Sequence, residues 1–149
     1  MSKEWIGKTS NKVKNTVDRL LVKRFAESIG DLHPIFVDEK YGEKSKYGVN
    51  IAPPTFPRVF DYGVLEGVEL PMKGLIHGEE TYQYERPLLI GEEVYCYTII
   101  QDYYEKKGKS GDMGFVVIKR VGEDAKGEII FTEIQNVIIT EAVRRGINA

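Results

Sequence analysis

Glu128-Ile129-Ile130-Phe131-Thr132-Glu133-Ile134-Gln135-Asn136-Val137-Ile138-Ile139-Thr140 reads as one long β-strand. Branched and aromatic side chains dominate it, and these suit a pleated surface. Successive side chains in a strand point to opposite faces. Ile130, Thr132, Ile134, Asn136 and Ile138 therefore share one face; Ile129, Phe131, Glu133, Gln135, Val137 and Ile139 share the other. Working backwards, Gly122 to Gly127 is a turn, Met113 to Val121 a strand, and Lys106-Lys107-Gly108-Lys109-Ser110-Gly111 a solvated turn. Val94 to Tyr104 is a further strand. Farther back, Tyr82 and Tyr84 alternate with Thr81, Gln83 and Glu85 in a strand that follows Leu75 and ends before Pro87 and Gly91. About four strands joined by hairpin-length turns predict an antiparallel sheet.

The first half of the chain has a different period. Leu21, Phe25 and Ile29 recur every four residues, with Val22 and Ala26 beside them, so Asp18 to Ile29 is predicted as a core-facing helix. Asp18 suits its N-cap and Gly30 the left-handed position just past its end. A short helix fits Glu39 to Lys44. A second long helix is expected from Ala52-Pro53-Pro54-Thr55-Phe56, since proline is tolerated in a first turn. Phe56, Val59, Phe60, Gly63 and Val64 would line one of its sides, and Gly67 or Pro71 would end it. Lys12 to Val17 is a weak strand candidate, and the tail from Glu141 is expected to fray. Helices first and strands after predict a single α+β domain over residues 1–149. One substantial helix leaves part of so long a sheet uncovered, which favours dimerisation.

Composition narrows the function. The 149 residues are 42% hydrophobic and 30% charged, with 21 Lys+Arg against 23 Asp+Glu. That is globular composition, and no basic excess points to nucleic acid. One cysteine, Cys96, excludes an internal disulfide framework, and with two histidines it is too little for an ordinary zinc site. Cys96 reads as a small buried hydrophobe. The N-terminal residues lack the apolar stretch of a secretory signal, and no apolar run is long enough to cross a bilayer. A cytoplasmic protein without membrane or nucleic-acid partners is the expectation.

The densest polar cluster follows the first helix: Gly30-Asp31-Leu32-His33-Pro34-Ile35-Phe36. A carboxylate and an imidazole on one stiff loop can hold a water and move its protons. Turn and helix-end chemistry accounts for the same residues without catalysis.

Phe25-Ala26-Glu27-Ser28-Ile29-Gly30-Asp31-Leu32-His33-Pro34-Ile35-Phe36, then Asp38-Glu39, then Ala52-Pro53-Pro54-Thr55-Phe56-Pro57, resembles the MaoC-like dehydratase family. The likeness is to its N-terminal dehydratase subgroup, related to the dehydratase region of type I fatty acid synthases. His77-Gly78-Glu79-Glu80 with Tyr82, Tyr84, Arg86-Pro87 and Gly91-Glu92, and Tyr104 to Gly111, are similar to its later blocks. Together they span about residues 5 to 140. The resemblance implies a hot-dog fold, an antiparallel sheet wrapped around a long central helix, here the one expected at Ala52. It implies reversible hydration of 2-enoyl to 3-hydroxyacyl thioesters of coenzyme A or acyl carrier protein, with no metal or redox cofactor. It also implies a homodimer or higher oligomer, or a heterodimer with a second hot-dog chain.

The family's loop carries Gly-Asp-x-Asn-Pro-(Leu/Ile)-His. Asp31 and Pro34 match it, His33 stands at the asparagine, and Phe36 stands at the catalytic histidine. Phenylalanine cannot exchange a proton. Three readings stay open: His33 replaces the missing histidine, with Asp31 and His33 the catalytic pair; the chain is a non-catalytic acyl-binding subunit whose partner supplies the dyad; or it is a hot-dog thioesterase. Backbone N–H groups of Thr55 and Phe56 are candidates to polarise the thioester carbonyl. His77 and Phe36 are candidates to line the acyl site.

Overall fold

The computed structural model describes residues 3–70, 73–109 and 111–143. Pro71, the alternative end of the expected second helix, Ser110 of the lysine-rich turn and the tail beyond Val143 lie outside the described residues. Five strands form one antiparallel sheet in the order β1-β3-β4-β5-β2. They are β1 (Val13–Thr16), β2 (Leu75–Tyr84), β3 (Glu93–Gly108), β4 (Gly111–Glu123) and β5 (Ile129–Ile139). The weak candidate near Lys12 is thus a real edge strand, paired with β3 from Val13 opposite Cys96 to Thr16 opposite Glu93. The three hairpin strands lie where the alternation puts them, but β3 and β4 run on into the expected lysine-rich turn, where Lys106, Lys107 and Gly108 pair with Met113, Asp112 and Gly111.

Three short helices precede β2: α1 (Arg19–Ser28), α2 (Pro34–Val37) and α3 (Glu39–Lys44). Asp18 caps α1 by accepting the Leu21 N–H at 2.9 Å. At the other end Gly30 (φ +72°) donates to Glu27 O and the next N–H, of Asp31, reaches back to Ala26 O. This pair of bonds is the usual closure for a glycine-terminated helix. The buried side of α1 is narrower than the sequence stripe. Val22 and Ala26 are fully buried, whereas Leu21 and Ile29 are nearly half exposed at 47% and 46%. They flank the core instead of facing it.

The long helix expected from Ala52 does not form. One 3-10 turn, Phe56–Val59, stands in its place, and by Phe60 (φ −73°, ψ 153°) the chain is extended. Proline explains this. Pro53, Pro54 and Pro57 remove three N–H donors, and each disfavours helical geometry in the residue before it. Gly63 and Gly67, both at positive φ, close off any continuation. The aromatic spacing that suggested a helix serves a strap laid across the sheet: Phe56 and Phe60 are buried, while Val59 and Val64 are exposed.

The helix held by the sheet is therefore α1. Val22 and Ala26 pack with Phe56, Phe60, Val94, Cys96, Ile130 and Phe131 in one core. A second core at the far end of the sheet joins Trp5, Ile100, Tyr103, Val116, Ile118, Val137 and Ile139. Leu65, Val68, Leu70 and Leu75 pack against it, so the chain after the strap covers what α1 cannot reach. This is the hot-dog arrangement, with its helix one segment earlier than the sequence suggested.

Candidate functional site

The loop after α1 is a relay of caps. Asp31 accepts the His33 N–H on Oδ1 at 3.2 Å. His33 in turn caps α2, its Nδ1 accepting the Ile35 N–H at 3.0 Å. An imidazole nitrogen that accepts carries no proton, so the ring proton of neutral His33 sits on Nε2. Asp38 then caps α3 by accepting from Lys40 and Tyr41. Behind these turns lies Asn50, fully buried. Its amide donates to Ile35 O at 2.9 Å, Asp38 O at 2.8 Å and, more weakly, Pro34 O at 3.3 Å. Its carbonyl accepts from Arg19 on α1 at 2.8 Å. One side chain thus fixes three helices relative to each other. Nothing in the local sequence marks it, because its partners come from 12 to 31 residues away.

Beside the loop opens an apolar cavity of about 420 Å³. Ile35 and Phe36 come from α2, Ile51, Ala52 and Pro54 from the strap, and Tyr84 to Pro87 from the end of β2 onward. Phe36 is 8% exposed, and its phenyl forms part of the wall. Tyr84 donates its hydroxyl to Pro54 O and closes the wall between strap and sheet. Burial raises the Tyr84 phenol well above its ordinary range, so it stays a neutral donor. At the rim, Arg86 is forked onto Glu92 by two bonds of 2.8 Å and also donates to Pro87 O.

The residues singled out in the sequence divide between two surfaces. Asp31 and His33 are exposed and do not line the cavity; the His33 ring lies edge-on to Phe36 and Tyr41, 6.1 and 5.7 Å between centroids. Phe36 is in the cavity. Thr55 is exposed, and Phe56 is fully buried with its N–H bonded to Pro53 O at 2.9 Å. The helix tip that was to hold a carbonyl there is absent. His77 is exposed on β2 opposite Val137, beside a register shift. Burial pushes the Cys96 thiol up to about 12, which leaves it protonated and inert at neutral pH.

The core-facing side of β5 holds a polar group that sequence reading missed. Glu133 is fully buried, and desolvation first, then its contact with Glu80, pushes its carboxyl up to about 7. The signal was present in β5, where Glu133 and Gln135 share a face with Phe131, Val137 and Ile139. Which face is buried depends on pairing partners that the segment itself does not reveal.

Residues 4–133 match the family described as FAS1-like, dehydratase domain region. A UPF0336 protein of Streptomyces griseus is 30% identical over 132 residues, covering 85% of each chain. Among solved structures, the HadBC (3R-hydroxyacyl-ACP dehydratase) complex of Mycobacterium tuberculosis superposes with a TM-score of 0.74 at 18% identity. The match covers 93% of this chain and 99% of that one. The (R)-hydratase of A. caviae gives 0.67 at 17% identity, covering 91% and 96%.

Proposed function

The chain belongs to the FAS1-like dehydratase domain family, and on that premise we propose that it is one subunit of an acyl-thioester hydratase/dehydratase. The reaction is the reversible addition of water to a 2-enoyl thioester of coenzyme A or acyl carrier protein. Hydroxyl goes to C3 and a proton to C2, giving the 3-hydroxyacyl thioester. In this reading the chain contributes the acyl-binding cavity, and a second hot-dog chain with the full loop motif contributes the carboxylate–imidazole pair. The observation that carries it is Phe36. At the position of the family's histidine stands a buried phenyl that lines an apolar cavity, while the loop's one imidazole faces out and caps a helix. A general acid or base has to reach the proton it moves; an apolar wall suits a hydrocarbon chain.

A second reading keeps Asp31 and His33 as the catalytic pair, with His77 beside the substrate. It is favoured by the single short turn that links the Asp31 carboxyl to the His33 backbone. Crotonyl-CoA separates the two. The subunit reading expects no turnover by this chain alone, turnover when it is mixed with a hot-dog chain bearing Asp-x-Asn-Pro-Ile-His, and no loss in Asp31→Asn or His33→Ala. The second expects turnover by the chain alone, lowered about 10²-fold or more in both variants. Absence of turnover in every combination overturns both.

A further inference from the structure

The cavity offers a ligand hydrocarbon, and the donors in its wall are already engaged. The Phe36 N–H donates to His33 O at 2.9 Å, that of Ile51 to Ile35 O at 3.2 Å, that of Ala52 to Leu88 O at 2.9 Å and that of Glu85 to Ile130 O at 2.8 Å. His33 Nδ1 takes the Ile35 N–H. Pro54 and Pro87 have no N–H to give. The two lining side chains that carry donors are Tyr84, bonded to Pro54 O, and Arg86, bonded to Glu92 and Pro87 O. A thioester carbonyl drawn inside would give up its hydrogen bonds to water for such a wall, which is costly. An alkyl tail has no such bonds to lose.

The wall is also fixed in place. The start of the strap is bonded on two sides, Ile51 to α2 and Ala52 to Leu88, and Asn50 O accepts the Ile90 N–H at 3.0 Å. The Tyr84 hydroxyl holds Pro54 a few residues on. A wall pinned in this way cannot swell for a longer ligand, so its volume sets a length. At about 30 Å³ for each water-sized group, 420 Å³ holds about fourteen of them filled to the rim. We infer that the cavity takes the unsubstituted tail of a medium-chain acyl group, about eight to twelve carbons long, and leaves the thioester and the carbons that react at its mouth. The rim suits a neutral head group: Glu85 is exposed there, and Arg86 beside it is neutralised by Glu92, so a free carboxylate would meet net negative charge. The identity of that head group rests on the acyl-thioester reading; the measure of the tail does not.

Two ligand series, titrated into the full chain by calorimetry, test this without turnover. One is the saturated acyl-CoAs from butanoyl to hexadecanoyl; the other is the straight-chain alkanols from hexanol to dodecanol, which carry no thioester. Affinity is expected to rise about fourfold per added carbon and to level off near ten to twelve, as about 30 Å³ per group requires. Ile51→Phe, which takes up space at the wall, is expected to move the break to shorter chains, and Ile51→Ala to longer ones. Should neither variant fold, the wild-type series decides alone. An affinity indifferent to length, a rise that continues to hexadecanoyl-CoA, a break unmoved in both variants, or no binding in either series overturns the inference. So does decanoate binding as tightly as decanol. The two readings fail separately. Acyl-CoAs that bind without regard to length overturn the measured tail and spare the thioester reading. Alkanols that show the break while no acyl-CoA binds support the tail cavity and count against coenzyme A as the carrier.

Discussion

Asn50→Ala tests how the loop after α1 is held. The substitution removes two good amide donations, to Ile35 O and Asp38 O, and the acceptor used by Arg19. None of the carbonyls is left bare. Pro34 O still accepts from Asp38 N, Ile35 O from Ile51 N and Asp38 O from Gly42 N. The loss is therefore close to the net worth of the bonds, about 1 kcal/mol for each of the two amide donations. Arg19 is exposed and can turn to water, so its bond adds about 0.5 kcal/mol. The small cavity left by the amide adds roughly as much again. The sum is about 3 kcal/mol, or a Tm lowered by roughly 6–12 °C for a chain of this size. Asn50→Asp sharpens the test. At pH 7 its carboxylate would face three carbonyl oxygens with no proton to offer, so it should be less stable than the alanine variant despite keeping Arg19. Acid should restore part of the loss, because a protonated aspartate regains one donor. Urea unfolding at pH 5 and pH 7 measures both variants. A loss below about 1 kcal/mol for Asn50→Ala, or an aspartate variant as stable as wild type at pH 7, would refute the reasoning.

Three further outcomes follow from single contacts. Gly42→Ala in α3 should gain about 1 kcal/mol on helix propensity alone, but the new methyl would sit 2.6 Å from both the backbone N and the Cγ of Asn50. Net destabilisation in thermal unfolding is expected, and a raised Tm would show that Asn50 is loosely held. Phe36→His should give this chain its own crotonyl-CoA hydration above the wild-type level; a flat result would mean that the loop's path, as well as the residue, differs from that of an active family member. Glu133 has a folded-state value of about 7 against an ordinary 4.5, so the stability it supports is complete below 4.5 and is lost as pH rises through 7. Glu80, shifted downward, changes state below that window. Glu133→Gln should therefore gain roughly 2–3 kcal/mol on wild type between pH 5 and pH 8, and an unchanging difference in urea unfolding would count against the buried acid.

What was legible in the sequence was what short-range physics decides. Asp18 and Gly30 bracket α1 because capping depends on residues three or four away. The positions of β3, β4 and β5 follow from alternation, whereas the extension of β3 to Gly108 and of β4 back to Gly111 depends on their pairing with each other. The Ala52 segment was misread because Phe56 and Phe60 have helical spacing, yet proline chemistry at 53, 54 and 57 outweighs periodicity. Asn50 and Glu133 were not legible. Each owes its role to partners brought in by tertiary structure, Arg19 and the α2 carbonyls for one, β2 and β4 for the other.

The Asp31–Phe36 turn has two sides, and they do different work. Its outer side carries Asp31 and His33, whose polar atoms close the turn and start α2. Its inner side carries Ile35 and Phe36, which meet Ile51, Ala52 and Pro54 in the cavity wall. An imidazole at position 36 would sit in that wall among hydrocarbon and would need a polar partner there. The phenyl needs none. A loop of this kind can still frame an acyl chain, because packing requires shape and not protons. On the subunit reading it does not itself deliver a proton into the cavity it frames, since its one imidazole is exposed and is not part of the cavity lining. The group that moves the proton then approaches Phe36 from a second chain, and Phe36→His is the variant that would place one in this chain instead.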